Sequence, residues 1–419
     1  MRLPHGLRAF RHRDFRYYFV GKGLSQTGMW LQNIATSWLI YRLTGSTFLL
    51  GLASFAMLIP ITLLAPVAAV WVDRRSKRRV LAYAQGVGLA QAVLVLALLL
   101  SGHIEPWHLI AANFVIGLVN AVDGPARQSL IIELVGGRED LPNAIAFSSA
   151  LMNSARFVGP LIGGAVIAAF GEAWGFGLNA ILYCAVLYAL WAIRPVPRKP
   201  EASTESWWTQ LGAGFRWAWG FLPTRSALLL VGTVALTTSP YQALAPWFAK
   251  EVYHGDSGTL GMLIGAGGLG AVTGLLYLAS RPSVRGLFTL MPVATATCAT
   301  ALIAFTFTRT AWLGALCIYF VGMGTMLAAT ATNTVLQTIV EDRLRARVSA
   351  IYMVSFLGMS PIGALIAGWA AERIGPPLAL AIGGAIALMA AGAFAHRLPA
   401  IRAAIRPVYE NLGIAAAKA

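Results

Sequence analysis

Ala69-Val70-Trp71-Val72-Asp73-Arg74-Arg75-Ser76-Lys77-Arg78-Arg79-Val80-Leu81 sets one acid and five bases in a short turn between two long apolar runs, 48–72 and 80–100. Each flanking run has about the 17–25 residues a helix needs to cross a bilayer. Working outward from this turn, similar runs occur near 17–41, 107–126, 143–170, 174–193, 226–249, 258–280, 286–308, 311–335, 348–371 and 376–395. Of the 32 Lys and Arg, 26 fall in alternate gaps between these runs, and the other gaps hold only Arg42, Lys250, Arg309 and Arg373. Lys22 and Arg156 lie inside runs. An excess of bases in alternate loops is the positive-inside pattern, which puts both termini and the long central loop in the cytoplasm. The chain reads as an all-α, multi-pass protein of a bacterial cytoplasmic (inner) membrane, with twelve transmembrane helices.

Composition excludes other classes. A mean hydropathy of +0.68 with 11% charged residues departs from soluble domains, which carry about 25% charged residues. The net charge of +16 is spread over seven cytoplasmic segments rather than one face, so it argues for topology and contact with anionic lipids, not nucleic-acid binding. Cys184, Cys298 and Cys317 lie in apolar runs without metal-ligand spacing. We expect no metal and no cofactor. The basic start leads into a full-length span and lacks the short apolar core and cleavage site of a signal peptide.

Six spans precede the central loop and six follow it. The expected units are an N-terminal six-helix bundle (1–193), a cytoplasmic linker (194–225), a C-terminal six-helix bundle (226–397) and a cytoplasmic tail (398–419). The linker opens with the Pro-rich Arg194–Pro200, which cannot continue a helix, and its Trp-rich stretch 207–219 predicts a short interfacial helix. Pro160 in the fifth span and Pro361 in the eleventh are 201 residues apart and each is followed by glycine. Duplicated halves around a central cavity are the usual plan of secondary transporters.

Most of the 16 acids fall in loops or at span ends. Asp123 alone remains, near the expected cytoplasmic end of the fourth span, and the histidines are terminal or near span ends. Proton-driven transporters usually carry an ionisable group inside the membrane. Either a boundary acid titrates, or coupling is not by protons.

The turn at Asp73 resembles the signature loop of the major facilitator superfamily, G-x-L-x-D-R-x-G-R-K/R-x-x-L. Asp73, Arg74, Arg78 and Leu81 match; Ala69, Trp71, Ser76 and Lys77 replace the usual residues. The resemblance implies a gating latch of Asp73, Arg74, Lys77 and Arg78, with the basic residues pairing to an acid on the fourth span. Asp123 is the expected partner. A topogenic basic turn is the plainer alternative. In the fifth span Gly159-Pro160-Leu161-Ile162-Gly163-Gly164 resembles the superfamily's G-P-x-x-G-G motif, found mainly in exporters, where small residues let helices approach closely. The stretches Asn120–Leu130, Leu141–Ala146, Asn153–Arg156 and Pro240–Pro246 are similar to the exporter branch that includes the enterobactin exporter and macrolide-efflux-type proteins. Over about residues 10–397 the likeness implies the major facilitator fold of two pseudo-symmetric six-helix bundles, and export of small organic molecules by proton antiport.

Arg156 is costly within a span, by about 2.5–3.5 kcal/mol on insertion scales, and so should face the bundle interior or a wet cavity. It is either an anchor for an anionic or carbonyl-rich substrate or a structural arginine tied to backbone carbonyls and Asn153. Gln32, Asn33, Asn113 and Asn120, with Asn333 and Gln337, are further polar candidates, each either a ligand contact or a helix–helix hydrogen bond. Together they bias a polar patch toward the N-terminal half. The glycines of 265–270 sit mid-span with no preceding strand, so they read as helix packing rather than a dinucleotide loop. No catalytic constellation converges on the membrane interior, so an enzyme is not expected. The leading expectation is a monomeric alternating-access exporter of hydrophobic, amphipathic or siderophore-like molecules. An importer or lipid-moving protein of the same fold, and a membrane scaffold, are the alternatives.

Overall fold

The computed structural model describes residues 5–135, 139–194, 216 and 218–411. Most of the expected interfacial helix at 207–219 lies outside the described residues. Within them the chain is helical, with no strand. The first half runs α1 (Arg13–Thr44), α2 (Thr47–Asp73), α3 (Lys77–Leu100), α4 (Pro106–Leu134), α5 (Leu141–Phe170) and α6 (Glu172–Ala192). The second half opens with α7, which starts as Leu222–Thr238, breaks at Ser239–Pro240 and resumes through Tyr241–Trp247 into a wide turn at Phe248–Val252. Then come α8 (Ser257–Ala279), α9 (Leu287–Phe307) and α10 (Ala311–Ile339). α11 combines Asp342–Met353, a wide turn at Val354–Gly358 and Met359–Ile374, and α12 is Pro376–Asn411. Eleven of these segments are long and apolar enough to cross a membrane; α1, at 32 residues, is long enough but less apolar, with Gln26, Gln32, Asn33 and several Ser and Thr along it.

Local sequence sets the helix ends. Gly45 closes α1 in the left-handed region (φ 63°), and the Ser46 hydroxyl then caps α2 by accepting from Leu49 N at 3.2 Å, as a serine N-cap should. Pro106 begins α4 behind a reciprocal cap between Glu105 and His108.

The described residues form two compact units, Met1–Ala202 with Ala245–Gly265, and Ser203–Leu244 with Ala266–Ala419. In the first, α1 packs on α5 and α6, and α3 on α4 and α6. In the second, α7 packs on α11 and α12, and α9 on α10 and α12, which is the same scheme shifted by six helices. The small-residue contacts repeat too. Gly163 on α5 sits against Leu31 of α1, while a methyl at Gly363 on α11 would collide with the Leu236 carbonyl of α7. Close approach at small residues is how helices associate in lipid, where no hydrophobic force draws them together. The two Pro-Gly segments therefore do the same packing job in each half.

Two expected boundaries shift. α4 continues to Leu134, eight residues past the end expected at 126, because Pro125 and Arg127 are absorbed rather than ending the helix. Asp123 consequently lies eleven residues inside its C-terminus, about 16 Å along the axis. The segment expected as tail continues α12 to Asn411 and buries Ile401 and Ile405.

Candidate functional site

Asp123 is the centre of a buried charged cluster in the first unit. Its residue is 6% exposed and that of Lys22, on α1, is 8%. The Lys22 ammonium donates to both carboxylate oxygens, at 3.1 Å each. Gln85 Nε2 on α3 donates to Oδ1 at 2.7 Å, and Arg127 Nε lies 3.6 Å from Oδ2. Arg127 reaches the same carboxylate because i and i+4 share a helix face. Ser25, one turn from Lys22, donates to Gln85 Oε1 at 3.2 Å and so turns the glutamine amide toward Asp123. Two cations thus face one carboxylate. A charge in such surroundings persists only when paired and hydrogen-bonded.

A second polar layer continues from the cluster. Tyr183 on α6 is buried beside it, its ring against Gly88 of α3. The Asn179 amide donates to Gln32 Oε1, and Gln32 Nε2 donates to Gln91 Oε1 at 2.8 Å. Gly28 and Gly88 make room for these groups: a methyl at Gly28 would strike Asn179, and one at Gly88 the Tyr183 ring. The layer joins α1, α3 and α6.

The signature turn has different partners from those expected. Lys77 Nζ approaches Glu133 Oε1 at 3.8 Å, with both side chains buried, and donates to the Asp73 carbonyl at 3.0 Å. Arg78 donates through Nε to Leu190 O at 2.7 Å and through Nη2 to Trp191 O at 3.0 Å, closing the carbonyl end of α6. Asp73 and Arg74 are exposed. The pairing of the turn's bases with Asp123 is therefore corrected. Glu133, ten residues further along α4, is about 15 Å closer to the turn; Asp123 is left to Lys22, which already sits inside its own span.

This arrangement sits in a recognisable chain. A family profile described as transmembrane secretion effector matches residues 5–409. The protein belongs to this family, and is a major facilitator transporter. It is 24% identical to the staphyloferrin A transporter of Staphylococcus aureus, over 86% of this chain and 90% of that one. It is 26% identical to the enterobactin exporter of Citrobacter koseri, over 89% of each. Among solved structures, a bacterial homologue of the human lysosomal transporter Spinster superposes with a TM-score of 0.70 at 15% identity, over 91% of this chain and 95% of that one. That likeness shows the fold.

In this transporter the other polar candidates scatter. Arg156 is exposed on α5, and the Asn153 amide one turn before it donates to its own helix at Ser149 O, 2.8 Å. Asn113 donates to Ala53 O at 3.1 Å, tying α4 to α2, and Asn33 reaches Met57 Sδ at 3.7 Å. Asn120 and Asn333 are half-buried, and Gln337 donates to Ser349 Oγ at 2.6 Å. Gly159, Pro160, Gly163 and Gly164 are buried. Gly159 lies against Trp30, and Gly164 meets Ser257 and Gly261 at the start of α8 so closely that a methyl would clash with backbone. Sequence reasoning missed Gln85, Ser25, Gln91, Asn179 and Tyr183, and left Lys22 unassigned. One signal was available: Lys22 and Asp123 are opposite charges at helical depth, and each needs a partner.

Proposed function

We propose that this transporter is a secondary exporter of small amphipathic, siderophore-like molecules. It works as a monomer in the bacterial inner membrane, with both termini cytoplasmic, by alternating access coupled to proton antiport. The observation that carries the reading is the Lys22–Asp123–Arg127 cluster: an ionisable carboxylate buried among transmembrane helices of a chain whose relatives include a protein named for staphyloferrin A transport and one named for enterobactin export. Ionisable groups inside membrane helices mark ion pathways and relays.

The chemistry follows from the charge count. With Asp123 ionised, one carboxylate balances Lys22 and shares Arg127. A proton on Asp123 removes that balance and leaves the buried Lys22 and the half-buried Arg127 without a counter-charge. The protonated and ionised forms thus favour different packings of α1 against α4, which is the differential an alternating-access cycle needs. Arg156 is the proposed anchor for anionic or carbonyl-rich substrate, with Gln32, Asn33, Asn113, Asn120 and Asn153 as polar supports. Asp73, Arg74, Lys77 and Arg78 form the proposed gate, in which Lys77–Glu133 replaces the pairing to Asp123.

The test is substrate-dependent proton movement in proteoliposomes, using catecholate, carboxylate, neutral and cationic candidates. Proton flux driven by anionic chelators, and abolished by Asp123→Asn, is the expected result. Substrate flux without proton movement would refute the coupling. Uptake in the direction opposite to the imposed proton gradient's demand would make the protein an importer.

A further inference from the structure

Away from the charged cluster, the second unit holds a cavity of about 400 Å³ between the start of α9 and the end of α12. Three arginines line it, Arg285 before α9 and Arg402 and Arg406 on α12. Arg402 Nη2 donates to Thr289 Oγ1 at 2.9 Å, which holds its guanidinium over the first turn of α9. Gly286 caps that turn with φ 79°, and Arg281 Nη2 fixes the approach by donating to the Arg285 carbonyl at 2.8 Å. A carboxylate is also present nearby: Glu410 accepts from Arg406 Nε at 2.7 Å. The cavity floor is apolar, built from Phe288 and Ile405, which are 5% and 3% exposed. Beside it the Tyr409 hydroxyl is buried without a hydrogen-bond partner among the described residues.

We propose that this cavity binds the phosphate of an anionic phospholipid. Three guanidinium forks and a helix N-terminus are the groups that recognise a phosphate, and Tyr409 supplies a buried donor that a phosphate oxygen would satisfy. The lipid source follows from position. α9 has 21 residues, about 31 Å of helix, which matches a hydrocarbon layer of about 30 Å, so its first turn, which lines the cavity, stands at the membrane surface. The apolar floor then receives the glycerol and first methylenes of an acyl chain. Basic pockets between transmembrane helices are where anionic headgroups lodge.

Each such arginine strengthens attraction to anionic lipid about fivefold, so removing three weakens it on the order of a hundredfold. The experiment follows lipid retention by native mass spectrometry and the thermal midpoint of purified protein. Mixed micelles contain phosphatidylglycerol or phosphatidylcholine, or detergent with inorganic phosphate alone. Phosphatidylglycerol should be retained and should raise the midpoint, whereas phosphatidylcholine and inorganic phosphate should not. The Arg285→Gln/Arg402→Gln/Arg406→Gln protein should lose retention, and Arg402→Gln alone, an exposed change that folding tolerates, should bind about fivefold more weakly. Inorganic phosphate reproducing the lipid's effect would overturn the lipid assignment in favour of a soluble phosphorylated ligand. Retention unchanged in both variants, or in Arg402→Gln where the triple variant does not fold, would overturn the site.

Discussion

Replacing Asp123 by Asn tests the charged cluster directly. In the native protein Asp123 accepts from Lys22 through both oxygens at 3.1 Å and from Gln85 at 2.7 Å, with Arg127 at 3.6 Å. Asparagine keeps the shape but leaves Lys22 and Arg127 without a counter-charge. Breaking a buried pair by removing one partner costs about 3–5 kcal/mol. Lys22→Met is the milder change, on the order of 2 kcal/mol, because Asp123 keeps Gln85 and Arg127. The double variant Lys22→Met/Asp123→Leu removes both charges and should fall short of the summed losses by about 2–3 kcal/mol, since replacing a buried pair by apolar groups is often neutral. Arg127, with an 18% exposed side chain, can turn toward polar surroundings when Asp123 is gone. Unfolding titrations in mixed micelles, followed by tryptophan fluorescence, give the three values. Additivity of the single losses to within about 0.5 kcal/mol would show that the two side chains do not interact, and the coupling argument would fail with it. The same double variant, folded but without proton-linked flux, separates a role in transport from one in stability.

Three other outcomes follow from the same geometry. Gly261→Leu should cost about 1–3 kcal/mol or block folding, because even a methyl there collides with the Pro160 carbonyl; yield and monodispersity in detergent check it. Arg78→Ala should lose two charge-assisted bonds to the carbonyl end of α6, about 1–2 kcal/mol at this partly exposed site, and Arg78→Lys should recover less than half, as read by thermal midpoint. Arg156→Gln should weaken apparent affinity for anionic substrates about tenfold or more while leaving neutral ones within twofold, a contrast measured by transport competition.

The fold was legible because lipid imposes a simple rule: apolar runs of spanning length separated by loops of alternating charge. Pro160 and Pro361 pointed to the repeat, and the Gly163–Leu31 and Gly363–Leu236 contacts show why, since each lets its helix close on the equivalent neighbour. The site was less legible. Arg127 ended the expected fourth span, so Asp123 was placed at a boundary, when the helix carries both residues onward to Leu134. The partners of Asp123 come from 101 and 38 residues away. No spacing rule along one chain reports which face of α1 meets which face of α4.

The buried polar residues expose a difference that the repeated packing hides. Among the described residues, the buried Lys, Asp, Gln and Asn side chains are Lys22, Gln26, Gln32, Lys77, Gln85, Gln91, Asp123 and Asn179, all in the first unit. Among the described residues, the second unit buries no charge and no amide side chain; its buried polar groups are hydroxyls and the Cys298 thiol, and one of them, Tyr352, donates across helices to Ala329 O at 3.0 Å. Several of those donate within their own helix, as Thr237 does to Thr233 O at 2.7 Å and Thr295 to Met291 O at 2.9 Å. A hydroxyl satisfied by the preceding turn asks nothing of its neighbours and lets a helix shift as a body. Amides and charges bonded across helices resist such a shift until their protonation or pairing changes. The two halves thus share a packing scheme but not a chemistry, and charge-removing substitutions that alter coupling should cluster in α1, α3 and α4.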